Sequence, residues 1–457
     1  METAIYYVNI SILIYFFLLG AWYGLILLAS ISETVDSYAQ YRYGNLDEII
    51  ETGFSIPITI IIPAFNEEQR ILNTIRNVLK SNYKNIQILV INDGSTDGTL
   101  DLLINEFQLY EIPPIIEKVI KTSSIRHLYK SKNVDNLTVI DKKHSPGNTA
   151  ADANNCGLNA TNTPVYITID ADTLLEPEAI TQMLLQFLAK KHCISVGGVI
   201  FVLNENTVDR GRIETTFLSE GFTSAFQGLE YVRSFTYGRS GLNNLSGSLC
   251  HPGAFTLNET HSVQEVGGYD PLNFAYDVDI TMKLHGLSGK YPVKLSFSSN
   301  AISWTKVPST LKKFWTQRDR WQRGMLRSIF TNRRMLFNPR YGFTGMIVFP
   351  AYIMFDLLGP VIEFLAYILL ILTLIFDVVS YRTLGWFILL AWGYIIIMTL
   401  ASFYLNLITY SQYRKLSILR IIWLVTVEMF GFRQFRAACC FFGTLHYFFN
   451  RLMGKPL

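Results

Sequence analysis

From Ala4 to Ile31 the chain carries no charged side chain, and a long apolar run returns after Gly342. At about 1.5 Å of rise per residue, an uncharged stretch of this length crosses the ~30 Å hydrocarbon core of a bilayer. In lipid such a segment must satisfy its backbone groups internally, which means a helix. A soluble domain can therefore lie only between the two apolar regions, from Pro57 to Tyr341. The first run is too long for a signal-peptide core. No Lys or Arg precedes it and no small-residue cleavage site follows. It is expected to be a retained transmembrane helix over residues 1–34, followed by a linker over 35–56.

The C-terminal apolar region divides on its own residues. Pro350, Asp356 and the Gly359-Pro360 pair interrupt the stretch from Tyr341 to Phe376. The expectation is an interfacial or re-entrant helix, then a crossing from Val361 to Phe376, then a second crossing from Leu384 to Thr409. Residues 421–449 are apolar but carry Glu428, Arg433 and Arg436. A helix lying along the interface is the first reading, with a further crossing as the alternative. Lys312 to Arg340 and Arg414 to Arg420 are rich in Lys and Arg, whereas the intervening loop "DVVSYRT" has one Arg. The positive-inside rule then places the soluble domain in the cytoplasm, on an integral protein of the plasma (inner) membrane.

The formal net charge is +3 over 457 residues, which gives no concentrated basic surface and argues against a nucleic-acid partner. Cys156, Cys193, Cys250, Cys439 and Cys440 form no CxxC pair and no metal spacing, and they read as reduced thiols. The adjacent Cys439 and Cys440 read as buried packing rather than acylation sites.

Between the apolar regions the composition is that of an α/β domain. "ITIIIPAF", "IQILVIND" and "VYITID" are short β-branched runs closed by turn residues, the pattern of buried parallel strands. Between the first two, Ile71, Leu72, Ile75, Val78 and Leu79 repeat with a helical period. Strand–helix–strand order predicts a Rossmann-like sheet, mixed but mostly parallel, with ligands at the carboxyl ends of its strands. Those ends carry acids: Glu67 and Glu68 after strand one, Asp93 after strand two, Asp170 and Asp172 after strand three. A single acid there is usually a turn former or helix cap; three strands of one sheet ending this way point to a site.

"IIIPAFNEE", "VINDGSTDGT", "DADT", "GGYD…YDVD" and "QRDRW" occur in this order over residues 57–324. The series resembles the motifs of family 2 glycosyltransferases, above all the membrane-embedded processive synthases of hyaluronan, cellulose, chitin and poly-N-acetylglucosamine. The resemblance implies a GT-A fold over residues 57–310, amphipathic interface helices carrying QxxRW over 311–341, and membrane and interfacial helices over 342–457. It further implies a UDP-sugar donor, a divalent metal and inversion at the anomeric carbon.

By the same resemblance, Asp93 corresponds to the uracil-binding acid, and Ala64, Phe65 and Glu67 would line the uridine pocket. Asp170 and Asp172 match the DxD motif, whose carboxylates suit Mg²⁺ or Mn²⁺ held against a diphosphate. Asp277 corresponds to the general base that takes the acceptor proton; the competing reading makes it the N-cap of the following helix. Asp279 is expected to support the site or to cap that helix. Gly253 and Ala254 of "PGAF" would leave room for the acceptor sugar, bordered by Asp277 and Trp321. On a helix Gln317, Arg320, Trp321 and Gly324 share one face. That face would close over the donor, with Arg320 on phosphate and Trp321 on a sugar. Arg318, Arg323 and Arg327 fall off the face and are expected to snorkel towards anionic lipid.

Three positions depart from the family pattern: Asn148 stands where a Lys is usual, Tyr276 where an acid precedes the base, and Asn92 where an acid precedes Asp93. Lys142, Lys143 and His144 are the available substitutes for the missing cation. His144 and His251 themselves read as surface or packing residues. The expected partners are a UDP-sugar, taken as UDP-N-acetylglucosamine, a growing polysaccharide or glycolipid acceptor, and the bilayer. Transfer of one sugar to a lipid, as in ceramide glucosyltransferases, and a silent partner in an export complex are the competing functions.

Overall fold

The computed structural model describes residues 2–43, 55–145, 147, 149–206, 208–209, 212–213, 218–245, 247–376, 381–409 and 418–454. Asn148 and most of the basic stretch before Arg420 lie outside the described residues.

A ten-stranded mixed sheet forms the centre, in the order β3-β4-β5-β2-β1-β6-β11-β8-β12-β7. The predicted strands are β1 (Ile58–Ala64), β2 (Ile86–Asn92) and β6 (Val165–Ile169). They lie side by side and parallel, with β5 (Leu137–Lys142) continuing the parallel set beyond β2. β3 (Leu109–Ile112) and β4 (Ile125–Ser131) extend that edge with antiparallel pairing. On the other side β11 (Phe255–Glu259) runs antiparallel between β6 and β8 (Cys193–Val202), and β12 (Lys294–Thr305) pairs parallel to β8 and antiparallel to β7 (Leu174–Leu175). A two-stranded ribbon, β9 (Val208–Asp209) and β10 (Arg212–Ile213), stands apart. The isoleucine-rich alternation of β1 buries Ile60 and Ile62 in one apolar layer and Ile61 in the opposite one, as a sheet covered on both faces requires. The chain thus forms a mixed parallel and antiparallel α/β domain of GT-A type, flanked by candidate membrane-spanning helices.

Two described helices are long and apolar enough to span a membrane, with candidate spans Tyr7–Ala39 and Leu384–Ile408. The N-terminal helix continues to Tyr43, past the boundary at residue 34 and into the expected linker. Its last turns are held by the domain: Glu33 accepts a hydrogen bond from Asn243 Nδ2 at 2.7 Å, and Asn300 Nδ2 donates to the Ser37 carbonyl at 3.0 Å. The Thr344–Leu357 and Gly359–Ile375 helices are bent by 42° where they meet, at the Gly-Pro break read from the sequence. From Ile418 on, two helices, Ile418–Val427 and Arg433–Leu452, meet at a kink at Phe430 and Gly431.

The charges in this last region act within the protein. Arg433 pairs with Glu363, Arg233 pairs with Glu428 at 2.5 Å, and Arg436 lies 3.7 Å from Glu230 and 3.9 Å from Glu363. Buried apolar residues of the sheet side, Phe297, Trp304 and Phe314, form one cluster with Phe403, Ile421, Leu424 and Cys439 of the C-terminal helices. The domain is therefore seated on the membrane helices by a shared core and buried ion pairs. Cys439 and Cys440 are buried free thiols, as packing residues are.

Candidate active site

The loops after β1 and β2 are locked together. Asn66, at φ 57°, accepts hydrogen bonds at its Oδ1 from the Thr96 and Asp97 backbone N–H groups at 2.8 and 3.3 Å. Glu68 accepts from Gly98 N–H at 3.1 Å and is part of the loop architecture. The Glu67 backbone N–H donates to Thr99 Oγ1 at 2.9 Å, and its carboxylate pairs with Arg70 at 3.6 Å. Burial and the neighbouring Asp172 raise the Glu67 carboxyl above its usual range. Ala64 is buried at the end of β1, while Phe65 is exposed.

Asp93 is placed differently from a free recognition group. It is buried, and its carboxylate receives Lys142 Nζ and the Ser145 hydroxyl at 2.8 Å, with His144 Nδ1 at 3.1 Å. Lys142 is fully buried and also reaches Asp152 at 2.7 Å. The cation available to replace the absent family Lys is thus used to neutralise two buried carboxylates, whose burial unpaired would cost several kcal/mol. The Asn92 departure has a local cause too. Its Nδ2 donates at 2.6 Å to Asp141, its register partner on β5, and an acid at position 92 would set two carboxylates against each other. His144 packs at the surface: its ring stacks on Phe65 at 4.2 Å and 26°, forming a half-exposed aromatic shelf beside Asp93, whose carbonyl lies 2.9 Å from His144 Nδ1.

Across the sheet, Asp170 and Asp172 follow β6. Asp172 accepts from Arg70 at 3.3 Å and from the Thr305 hydroxyl at 3.2 Å. Arg70 thereby joins the Glu67 loop to the DxD segment, a link that residue type alone does not signal. No hydrogen bond to the Asp170 carboxylate is found among the described residues. Burial, then Asp172, Asp277 and Glu67, push the Asp170 carboxyl up to about 7. Four acids from distant parts of the chain therefore share one electrostatic neighbourhood, which calls for a cation. Among the described residues no group of three or more His, Cys, Asp or Glu side chains is arranged to hold a metal. Two carboxylates still fit Mg²⁺ or Mn²⁺ when phosphates and water supply the remaining oxygens.

Asp277 lies inside the first turn of the Tyr276–Gly286 helix and Ala275 is the N-cap position, so the N-cap reading of Asp277 fails. Its Oδ2 accepts from Gly253 N–H at 3.1 Å and its Oδ1 from Val278 N–H at 2.9 Å. Burial raises the Asp277 carboxyl, and these two N–H groups oppose the rise. Glycine at 253 is a matter of space, because a Cβ there would come within 3.3 Å of Asp277 Cβ. Ala254, by contrast, is buried in the apolar cluster with Phe297 and Phe314. Asp279 is fully buried and faces away, pairing with Lys283 at 2.7 Å and accepting from Asn332 at 3.1 Å. It ties its helix to the one carrying QxxRW. Tyr276 packs edge-on against Tyr269 at 5.8 Å. His251 is buried, as a packing residue, and bonds Ser195 through Nδ1 at 2.9 Å.

The QxxRW residues lie on the Leu311–Thr331 helix, N-capped by Thr310. Gly324 is there because the helix touches the segment before Asp277: a Cβ would sit 2.3 Å from Ala275 N. Gln317 has a buried Oε1 without a hydrogen-bond partner, Arg320 is exposed and has no ion pair among the described residues, and Trp321 is 36 % exposed. The lipid-facing assignment of the other arginines is overturned. Arg318 is buried, grips Glu230 with both terminal nitrogens at 2.7 and 2.8 Å, and lies over Phe314 and Trp321. Arg323 pairs with Asp319 at 2.7 Å and Arg327 with Asp270 at 2.8 Å. These three guanidinium groups each have a carboxylate of the protein within reach, and pairing in a low-dielectric setting outweighs a screened headgroup contact.

The family profile for glycosyl transferase family 2 matches residues 59–254, and that for glycosyl transferase family group 2 matches residues 166–436, more than half of the chain. The chain belongs to this glycosyltransferase family. Among curated proteins it is similar to poly-beta-1,6-N-acetyl-D-glucosamine synthase of Staphylococcus aureus (strain COL), with 27% identity over 62% of this chain and 59% of that one. The Staphylococcus epidermidis synthase of the same name is 23% identical over 58% of this chain and 54% of its own length. The chain spans less than two thirds of either relative. Among solved structures it shares its fold with a mannosyltransferase, PcManGT of Pyrobaculum calidifontis, solved with GDP-Man and Mn2+. That match has a TM-score of 0.52 and 16% identity, covering 90% of this chain and 99% of that one.

Proposed function

We propose that this glycosyltransferase takes a sugar from a UDP-sugar, UDP-N-acetylglucosamine as the first choice, and adds it with inversion to the end of a growing polysaccharide that leaves through its membrane helices. The observation that carries this reading is the meeting of Asp170, Asp172, Glu67 and Asp277 at one end of the sheet, with the unpaired Arg320 on the helix that packs against the Asp277 segment. The similarity to the staphylococcal synthases supports the sugar and the polymeric product. The membrane helices packed against the QxxRW helix support secretion by the same chain.

In the proposed reaction an acceptor hydroxyl oxygen forms the new bond to the anomeric carbon while the carbon–phosphate oxygen bond breaks. UDP leaves with that electron pair and Asp277 takes the hydroxyl proton. The Gly253 and Val278 N–H groups hold the Asp277 carboxylate in place. Its raised pKa makes it a better proton acceptor than an ordinary carboxylate. Arg320 faces the departing diphosphate with a planar fork suited to phosphate oxygens. Trp321 offers a sugar-stacking face, and the Phe65–His144 shelf an aromatic surface for the base. Asp170 and Asp172 would hold a divalent cation, which supplies counter-charge to the leaving diphosphate. The catalytic domain is assigned to the cytoplasm, where nucleotide-sugars are made.

Purified protein in detergent with Mg²⁺ and a panel of UDP-sugars tests this directly. UDP release accompanied by a polymer of the donated sugar is the expected result. A single-sugar glycolipid product would replace the processive reading, and no UDP release with any donor would end both.

A further inference from the structure

At the C-terminal end of the QxxRW helix a second concave surface opens, outside the candidate active site. A cavity of about 520 Å³ is lined by Arg327, Phe330, Arg333, Arg334, Tyr447 and Arg451, and no acidic side chain lines it. Arg327 Nε is engaged by Asp270 at 2.8 Å. Arg333, Arg334 and Arg451 are exposed and have no ion pair among the described residues. Three guanidinium groups without an acidic partner around one concavity repel each other, and an anion among them relieves that repulsion. The wall is firm: Phe330 stacks flat on buried Tyr447 at 5.9 Å and 5°, and Arg451 lies 5.1 Å over the Phe330 ring. On the same final helix Phe448 meets Phe330 edge-on at 6.3 Å, and Leu452 follows one turn later on the same side; they are 41% and 86% exposed.

Planar guanidinium forks match tetrahedral phosphate oxygens, and an adjoining exposed apolar strip suits acyl chains. We infer that this cavity is a binding site for the phosphate headgroup of an anionic phospholipid, with Arg333, Arg334 and Arg451 on the phosphate, Arg327 held in the wall by Asp270, and Phe448 and Leu452 against the tails. A soluble phosphate presents the same oxygens but no tail, and a merely solvated basic face would not distinguish these arginines from their neighbours.

The test uses the full-length protein in nanodiscs of phosphatidylcholine, titrated with fluorescent phosphatidic acid, comparing wild type with Arg333→Gln, Arg334→Gln, Arg451→Gln and, as a control in the same basic stretch outside the cavity, Arg340→Gln. The expected result is one saturable site, weakened about tenfold or more by each lining substitution and unchanged in the control. Short-chain phosphatidic acid should compete in wild type, whereas inorganic phosphate at equal concentration should not. Non-saturable uptake, or equal weakening by Arg340→Gln, overturns the site. Equal competition by inorganic phosphate overturns the lipid assignment. The wild-type competition decides the matter even where a variant fails to fold.

Discussion

The QxxRW helix carries two neighbouring arginines whose removal should have opposite consequences. Arg318 is 7% exposed at its side chain and grips Glu230 bidentately. Arg318→Ala leaves that mostly buried carboxylate with Arg436, 3.7 Å away, and the more distant Arg233 as counter-charge. Breaking a buried pair costs about 3–5 kcal/mol. Arg436 recovers part of this, but the lost stacking on Phe314 and Trp321, at 4.6 and 4.5 Å, adds back about 0.5–1 kcal/mol each. The net loss is therefore on the order of 3–5 kcal/mol, enough to unfold much of a marginally stable protein. Arg320, exposed and unpaired, should leave stability within about 0.5 kcal/mol when truncated, yet lower UDP release about 10- to 100-fold through a lost charge-assisted contact to phosphate. The assay pairs half-life at a fixed elevated temperature in detergent, since unfolding of such a protein is irreversible, with UDP release at 25 °C. Wild-type half-life for Arg318→Ala, or a shortened one for Arg320→Ala, would refute this division. The double change Arg318→Met with Glu230→Gln should recover most of the half-life by removing both charges together.

Asp277→Asn should lower UDP release about 10²- to 10⁴-fold with little change in donor affinity, checked by steady-state kinetics beside UDP binding. Asp277 must be ionised to act and its pKa is raised by burial. Activity should therefore climb with pH, its acid limb lying above the ~3.9 of a free Asp; a limb at or below that value would speak against Asp277 as the base. Asp172→Ala, and excess chelator on wild type, should each abolish turnover, and full activity in either case would rule out the two-carboxylate cation site. Lys142→Met strands Asp93 and Asp152 in the interior and should cost about 3–5 kcal/mol, with Asp93→Asn/Asp152→Asn in the same background restoring stability in thermal unfolding. Gly253→Ala should raise the KM for the acceptor or lower kcat by displacing Asp277, while leaving UDP affinity intact in a binding titration.

The order of motifs, the strand pattern and the uncharged runs at Ala4–Ile31 and Leu384–Thr409 make the family, the α/β sheet and two candidate membrane spans legible in the sequence, because each is a local or periodic signal. Strand ends bearing Asp93, Asp170 and Asp172 are legible since a parallel sheet gathers them at one edge whatever their separation in the chain. The partners of those acids are not legible. That Lys142 is spent on Asp93 and Asp152, that Asn92 faces Asp141, and that Arg70 reaches Asp172 all depend on which strands and loops become neighbours. The same holds on the QxxRW helix. Spacing sets Arg318 apart from Gln317, Arg320 and Trp321, but the packing against the Phe222–Arg233 helix decides that Arg318 meets Glu230 rather than lipid. Helical periodicity specifies which side chains share a direction. What lies in that direction is fixed by the tertiary fold, and in a low-dielectric interior this decides whether a charge is catalytic, structural or free to take a ligand.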